Sequence, residues 1–305
     1  MAGDISPLEI RKVGLIGFGE AGRLLGEGLV KAGLLVTAYD IQIETPQGWA
    51  LMARSTDEVG VLLSDMPAQA VKGCDLVISA VTASSAAAVA EQVGPMLAPG
   101  QIFLDINSVS PATKAHDRNA VERGGATYIE AAVMAPLPPY GLRVPMLLGG
   151  AKAKAVSDAL NTIGLHTRAV SADVGVASAI KMCRSVMIKG LEALAVECLT
   201  AARRYGAERE VLESLAETFP GMGWTDRQPH YLVSRVAEHG RRRAEEMREV
   251  ADTLLDVKVD PVMARATATV QDAVVDLMEK KGVAYPKEQA FDWPTFVDQL
   301  HPDRD

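Results

Sequence analysis

The chain has little of what several protein classes require. It holds three cysteines in 305 residues, Cys74, Cys183 and Cys198, and none form the C-x-x-C spacing of a zinc site or a redox disulfide. They read as buried thiols in a reducing cytoplasm, and no metal site is expected. Basic residues are outnumbered, 31 against 39 acidic, giving a formal charge of -8, and they form no long run. That leaves no electrostatic footprint for nucleic acid or for an anionic membrane surface. The longest apolar stretch, Ala131 to Gly150, is interrupted by Pro136, Pro138, Pro139, Arg143 and Pro145, which excludes a membrane helix there. Met1 to Arg11 carries Asp4 and Glu9 and lacks the basic start and apolar core of a secretory signal. The expectation is a cytoplasmic protein with a small-molecule partner.

Apolar residues make up 48% and charged residues 23%, the balance of a chain that folds. Its length suits two domains, each with its own core. From Lys12 to about residue 170, short β-rich runs alternate with helical segments, the pattern of a sheet with crossover helices. Strands are expected at Val13 to Ile16, Leu35 to Tyr39, Asp75 to Ala80, Ile102 to Asp105 and Thr127 to Ala132. A later pair, Pro145 to Leu148 and His166 to Ala169, flanks a helix over roughly 151–163. After Asp173 helical periodicity takes over: Val174 to Tyr205, Glu208 to Thr218, Gln228 to Leu255, Pro261 to Lys280, and Lys287 to Leu300 with a break at Pro294. The reading is an α/β domain, residues 1–170, and an all-α domain, residues 171–305, joined by a long helix.

The first strand runs into Gly17-Phe18-Gly19-Glu20-Ala21-Gly22 and then into an amphipathic segment. Gly17 permits a tight turn, Gly19 lets backbone approach a pyrophosphate, and Gly22 allows helix and strand to pack closely. A bare G-x-G-x-x-G is weak. This one follows a strand, opens a helix, and precedes a second strand ending in Asp40, eighteen residues past Gly22. An acidic group there accepts from the adenosine ribose hydroxyls and repels a 2'-phosphate, which points to a Rossmann-type domain preferring NAD over NADP. Val81 and Thr82, after the strand Asp75 to Ala80, are assigned to the same cofactor. A downstream cation such as Arg54 is the route by which NADP would be accepted instead.

Asp105-Ile106-Asn107-Ser108-Val109-Ser110-Pro111 follows the fifth of these strands. Ser110 can cap a helix, Pro111 suits its first turn, and Asn107 and Ser108 can donate to a carboxylate. Further on stands Gly175-Val176-Ala177-Ser178-Ala179-Ile180-Lys181. Ser178, Lys181 and Ser185 share a helical face in a segment apolar enough to bury, and desolvation with Arg184 nearby would favour a neutral amine.

These segments resemble the β-hydroxyacid dehydrogenase family, which includes 3-hydroxyisobutyrate and 6-phosphogluconate dehydrogenases. Asn107 and Ser108 stand where that family has a Ser-Thr pair, and Ala177 replaces a glycine of G-x-G-x-x-x-K. The resemblance implies that Lys181 is the catalytic acid/base, that Asn107 and Ser108 hold the substrate, and that two copies pair through their helical domains. Departures are Arg184 and Ser185 where the family has an Asn pair, Ala132-Val133-Met134-Ala135-Pro136 for P-V-S-G-G, and Glu245-Glu246 for Lys-Asp. Arg184 and Ser185 are therefore assigned to the substrate. The runs from Lys181 and from His239 resemble a branch that joins this NAD-binding domain to a C-terminal domain of unassigned function.

Arg143 lies in a loop, Trp224 is a cleft wall or a core residue, and Arg241, Arg242 and Arg243 form a solvated or subunit-facing surface with Glu245, Glu246 and Glu249. Three functions compete. The first is oxidation of a small 3-hydroxy or hydroxymethyl acid, the second is reduction of an imine or ketone with NADPH, and the third is a catalytically silent NAD sensor. Lys181 favours the first.

Overall fold

The computed structural model describes residues 8–302, so the part of the N-terminal reading that rests on Met1 to Pro7 lies outside it. The order of elements is Lys12–Ile16 (β1), Glu20–Lys31 (α1), Leu35–Tyr39 (β2), Pro46–Asp57 (α2), Leu62–Leu63 (β3), Pro67–Val71 (α3), Leu76–Ser79 (β4), Ala86–Val93 (α4), Ile102–Asp105 (β5), Pro111–Glu122 (α5), Thr127–Val133 (β6), Pro145–Gly149 (β7), Ala153–Thr162 (α6) and His166–Ser171 (β8). The strands form one sheet in the order β3-β2-β1-β4-β5-β6-β7-β8. Every neighbouring pair is parallel except β6 and β7, which run antiparallel. The strand order reverses between β1 and β4, and in such sheets the crevice beyond the strand ends at the reversal receives the ligand.

β4 and β5 are buried along their whole length because helices cover both faces of the sheet. One face packs Leu15, Ile78 and Leu104 with Leu25 and Leu29 of α1, Met52 of α2 and Val156 of α6. The other packs Val77 and Phe103 with Val71 of α3, Val93 of α4 and Val121 of α5. β3 was not anticipated: two residues on the sheet edge are too short for a period-two signal.

The remaining helices are Val176–Tyr205 (α7), Glu208–Thr218 (α8), Arg227–Asp256 (α9), Val262–Lys281 (α10) and Trp293–Leu300 (α11). The chain divides into two compact units after Lys181, inside α7. The first turns of α7 stay with the sheet because a buried carboxylate on β6 caps them, as described below.

Among the described residues of the second unit every regular element is a helix. Its core includes Leu199, Leu232, Val236, Val274, Phe296 and Leu300, with Met182, Met247 and Val250 in a further cluster. α9 and α10 approach closely at Gly240, where a Cβ would lie 2.6 Å from Val275 Cγ2. Trp224 is a core residue of this unit.

Three sequence readings change here. Arg243 is buried and pairs with Glu192 of α7, while Arg241 reaches Asp272, Asp276 and Glu279 of α10 and Arg242 pairs with Glu246 along its own helix. Successive helical side chains point about 100° apart, so three consecutive arginines on a helix with neighbours on two sides cannot share one solvated face. Cys74 is buried as expected, but Cys183 and Cys198 are exposed on α7. Pro294 does not break a helix begun at Lys287. It lies in the first turn of α11, where its missing N–H costs nothing, and Asp292 caps the helix by accepting from Thr295 N at 3.1 Å.

Asp292→Ala should therefore lower stability by about 1 kcal/mol, with Asp292→Asn close to unchanged, as read by urea unfolding. An equal loss in both variants would place the contribution elsewhere than in the cap.

Candidate active site

The glycine loop leaves β1 at Gly17, whose φ of 92° only glycine adopts readily. A Cβ there would lie 2.4 Å from Ala80 O, and one on Gly22 would lie 2.2 Å from Gly17 O, so the fold itself needs both glycines. Gly19 is different. Its φ of -71° suits any residue and a Cβ would meet nothing within 4 Å. Nothing in the chain demands glycine at this position, and the open space fits the close approach of a phosphate. Gly19 is also the N-cap of α1 and supplies no side-chain cap, which leaves the helix N-terminus able to bind an anion. Glu20 is exposed and Ala21 half-buried beside it, whereas the Phe18 ring lies in the core.

Asp40 follows β2 directly and braces this loop. Its Oδ2 accepts from Phe18 N at 2.7 Å and its Oδ1 from Gln42 N at 3.0 Å. Arg54 is held on the surface of α2 by Glu58. Val81 lies half-buried after β4 and Thr82 is exposed, its hydroxyl bonded to Ser84 and Ser85. Thus the three segments assigned to the cofactor all lie at the carboxyl ends of β1, β2 and β4, flanking the reversal of strand order.

The segment after β5 is tied down by a buried knot. Asp105 Oδ1 accepts from Asn107 N at 2.9 Å and pairs with Lys114 Nζ at 2.9 Å, and its Oδ2 accepts from the Tyr128 hydroxyl at 2.7 Å. Lys114 Nζ also donates to Asp105 O at 3.0 Å. Burial and the Asp105 carboxylate push the Tyr128 hydroxyl well above its ordinary pKa, so it remains a donor. Asn107 points inward: its Nδ2 donates to Ser79 Oγ at 2.9 Å and its Oδ1 accepts from Val81 N at 2.8 Å. The side chain thereby joins the loops that follow β4 and β5. Ser110 caps α5, accepting from Thr113 N at 3.2 Å.

Lys181 reaches this segment from α7. Its Nζ donates to Ser108 Oγ at 2.5 Å, across 73 positions of sequence, and both side chains are only partly buried. What sets the start of α7 is Glu130, fully buried on β6. Its Oε1 accepts from Gly175 N at 2.8 Å and Ala177 N at 2.9 Å, and its Oε2 from Ser178 N at 3.3 Å. Gly149 on the adjoining strand makes room, since a Cβ there would lie 2.3 Å from Glu130 Oε1. Sequence reasoning missed Glu130, Lys114 and Tyr128. The one available signal was a glutamate inside the apolar strand Thr127–Val133. Arg184 is exposed and Ser185 buried on the next turn of α7, which belongs to the second compact unit. Arg143 is exposed.

The geometry so far is that of a nicotinamide-nucleotide oxidoreductase fold with a lysine-serine pair beside the strand ends. Residues 12–135 match the model of the NAD binding domain of 6-phosphogluconate dehydrogenase, and residues 202–274 match a domain of unknown function, DUF1932. A conserved hypothetical protein from Sinorhizobium meliloti 1021 is 36% identical, with 96% of this chain and 97% of that one covered and a TM-score of 0.73. A conserved protein of unknown function, described as structurally similar to 3-hydroxyacid dehydrogenases, is 33% identical over 87% of this chain and 97% of its own, with a TM-score of 0.68. 3-Hydroxyisobutyrate dehydrogenase of Mycobacterium tuberculosis shares the fold, with a TM-score of 0.71 at 16% identity, over 96% of this chain and 99% of its own. The chain belongs to the β-hydroxyacid dehydrogenase family, in the branch whose NAD-binding domain is followed by DUF1932, and its cofactor is NAD(P). Among the described residues no helix is long and apolar enough to cross a membrane.

One member of the buried knot opposes the fold. Asp117 on α5 is fully buried, its Oδ2 has no hydrogen-bond partner among the described residues, and its Oδ1 has only His116 Nδ1 at 3.3 Å. Burial first, and then repulsion by Asp105, raise its pKa to about 6. A carboxyl raised in the fold contributes most at low pH, and that contribution is lost as pH rises through about 6. Asp117→Asn, neutral at every pH, should stabilise the protein by on the order of 1–3 kcal/mol at pH 8 and by little at pH 3, as followed by thermal melting across that range. A gain that did not change with pH would disconnect it from this titration.

Proposed function

We propose that the chain oxidises a small 3-hydroxy or hydroxymethyl acid, or reduces the matching carbonyl, with Lys181 as acid/base. The observation that carries this reading is the Lys181–Ser108 contact, which sets an amine beside a hydroxyl next to the strand ends that bear the cofactor loops. Bound NAD(P) supplies a hydride acceptor or donor. The chain's own part is to hold the carbinol and to move its proton. Lys181 Nζ takes the hydroxyl proton as the hydride leaves carbon, and returns it in reduction. Ser108 Oγ donates to the substrate's acid group. Asn107, committed to Ser79 and Val81, holds the loop that presents Ser108. Exposed Arg184, one turn along α7, is assigned to the carboxylate, for which its planar fork is suited, and Ser185 to support of that turn. Pairing of two copies through the helical domain belongs to the same reading, as does a cytoplasmic setting.

Hydroxy acids, amines and ketones offered with NAD(H) and NADP(H), and followed by nicotinamide absorbance, test the reaction class. Lys181→Met should then lower turnover of the best substrate by roughly 10²- to 10⁴-fold while leaving cofactor affinity in place. Ser108→Ala should cost about 1.5–3 kcal/mol in kcat/KM. Unchanged turnover in Lys181→Met would end the acid/base assignment.

We also propose a preference for NAD that rests on Asp40. Because Asp40 accepts from Phe18 N and Gln42 N, its removal to Ala would loosen the glycine loop as well as the charge. Asp40→Asn, which keeps one acceptor, should narrow the preference by strengthening NADP relative to NAD in paired titrations. Tighter binding of NADP than NAD by the unmodified protein would overturn the assignment.

A further inference from the structure

The carboxyl ends of β5 and β6 are neighbours of opposite character. After β5 come Asn107, Ser108 and Ser110, whereas from Ala131 to Pro139 no side chain carries a charge or a hydrogen-bond donor. The backbone there adds little. Met134 N is taken by Pro145 O at 2.9 Å, and Pro136, Pro138 and Pro139 have no N–H to offer. Donors for an anionic group are thus concentrated on the β5 side, where Ser108 meets Lys181. Asp105 pairs with Glu130, so Ser108 and Met134, three and four residues further on, stand at the same end of adjacent strands.

β6 and β7 pair Glu130 with Gly149 and Ala132 with Leu147, and the Met134–Pro145 bond continues that register by one step. Side chains alternate along a strand, so Ala132, Met134, Pro145 and Leu147 stand on the face of Glu130, which is the face over which α7 begins. Ala132 is buried and the other three are half-buried. Val133, Met146 and Leu148 point the other way into the core, which includes neither Met134 nor Leu147. Glu130 itself is engaged by three N–H groups of α7. The result is an apolar floor about 5 Å across between the strands and about 7 Å along them, with room for a hydrocarbon arm of several carbons. A second carboxylate or a phosphate laid on it would lose water and gain no donor from these side chains.

We infer that the substrate is an amphiphilic hydroxy acid whose carboxylate lies at Ser108 and whose apolar arm lies on Met134, Pro145 and Leu147, so that acids with an arm of several carbons are preferred to compact or doubly anionic ones. The inference rests on the reaction proposed above and specifies its substrate.

The test pairs binding with turnover. Butanoate, hexanoate and octanoate are titrated by calorimetry into the full chain loaded with NAD(P)H, and the 3-hydroxy derivatives of the same acids, with 3-hydroxyglutarate, are offered with NAD(P). Each added methylene should tighten binding and raise kcat/KM by about two- to fourfold, and 3-hydroxyglutarate should be the poorest substrate. Met134→Ser and Leu147→Gln should each flatten the dependence on length while retaining cofactor affinity and the melting temperature, and Met134→Ser should improve 3-hydroxyglutarate relative to 3-hydroxyhexanoate. Binding and turnover that stay flat or fall with length, while 3-hydroxybutanoate is oxidised, would overturn the arm site and leave the reaction standing. That is also the outcome expected if protein rather than substrate covers the floor. A dependence on length that survives both substitutions would put the arm elsewhere and overturn the site equally. Carboxylates that bind with the expected dependence, lost in Met134→Ser, while no hydroxy acid is oxidised would overturn the reaction and keep the apolar site. Neither binding nor turnover would overturn both.

Discussion

Everything that brings Lys181 to the sheet depends on one buried carboxylate. Glu130 stands on a central strand, fully out of water, where an unsatisfied carboxylate would cost several kcal/mol. Three backbone N–H groups at the start of α7 satisfy it, and those are the groups that a helix N-terminus leaves unpaired. Each side therefore answers the other's need. The bond fixes both the height and the rotation of α7 over β6, and with them the place of a side chain three residues past Ser178. The contact between Lys181 and Ser108 follows from this geometry, and the absence of a Cβ at Gly149 is the steric condition for it.

The partner segment is fixed by a second buried charge. Asp105 receives an ammonium, a phenol and a backbone N–H, so the turn that presents Ser108 is held from α5, from β6 and from within. Asn107 then links that turn to the loop after β4. A site built at strand ends is only as well ordered as its loops, and here the loops are tied by charge-assisted bonds shielded from water. Asp117 is the cost of concentrating carboxylates there: it shares the buried region with Asp105, and among the described residues its one hydrogen-bond partner is His116.

What could be read from the sequence divides along the same physical line. The glycine loop, Asp40 and the Ser110-Pro111 cap were legible because each acts through neighbours in sequence, where spacing determines geometry. Lys181 and Ser108 were named from a resemblance, and their contact at 2.5 Å is a product of tertiary structure. Glu130, Lys114 and Tyr128 were not named. A lysine on an amphipathic helix reads as solvated, and only the burial of α5 against Asp105 makes it otherwise. The same cause reversed the readings of Cys183, Cys198 and Arg243. Whether a helical position is inside depends on which neighbours pack against that face, and periodicity alone does not count neighbours.

α7 carries this logic past Lys181. Beyond it the helix presents Lys189 and Glu192 to α9, where they are buried in ion pairs with Glu246 and Arg243. Buried ion pairs contribute little net stability, because desolvation offsets most of their attraction, but breaking one leaves an uncompensated charge. Their effect is selective: a slip of α7 along α9 by one residue would separate both pairs at once. Within the second unit the two pairs thus fix the register of α7 against α9. Within the first unit the Glu130 cap holds the opening turn of α7, and with it places Lys181 Nζ beside Ser108 Oγ, a contact that no local feature of either segment would set.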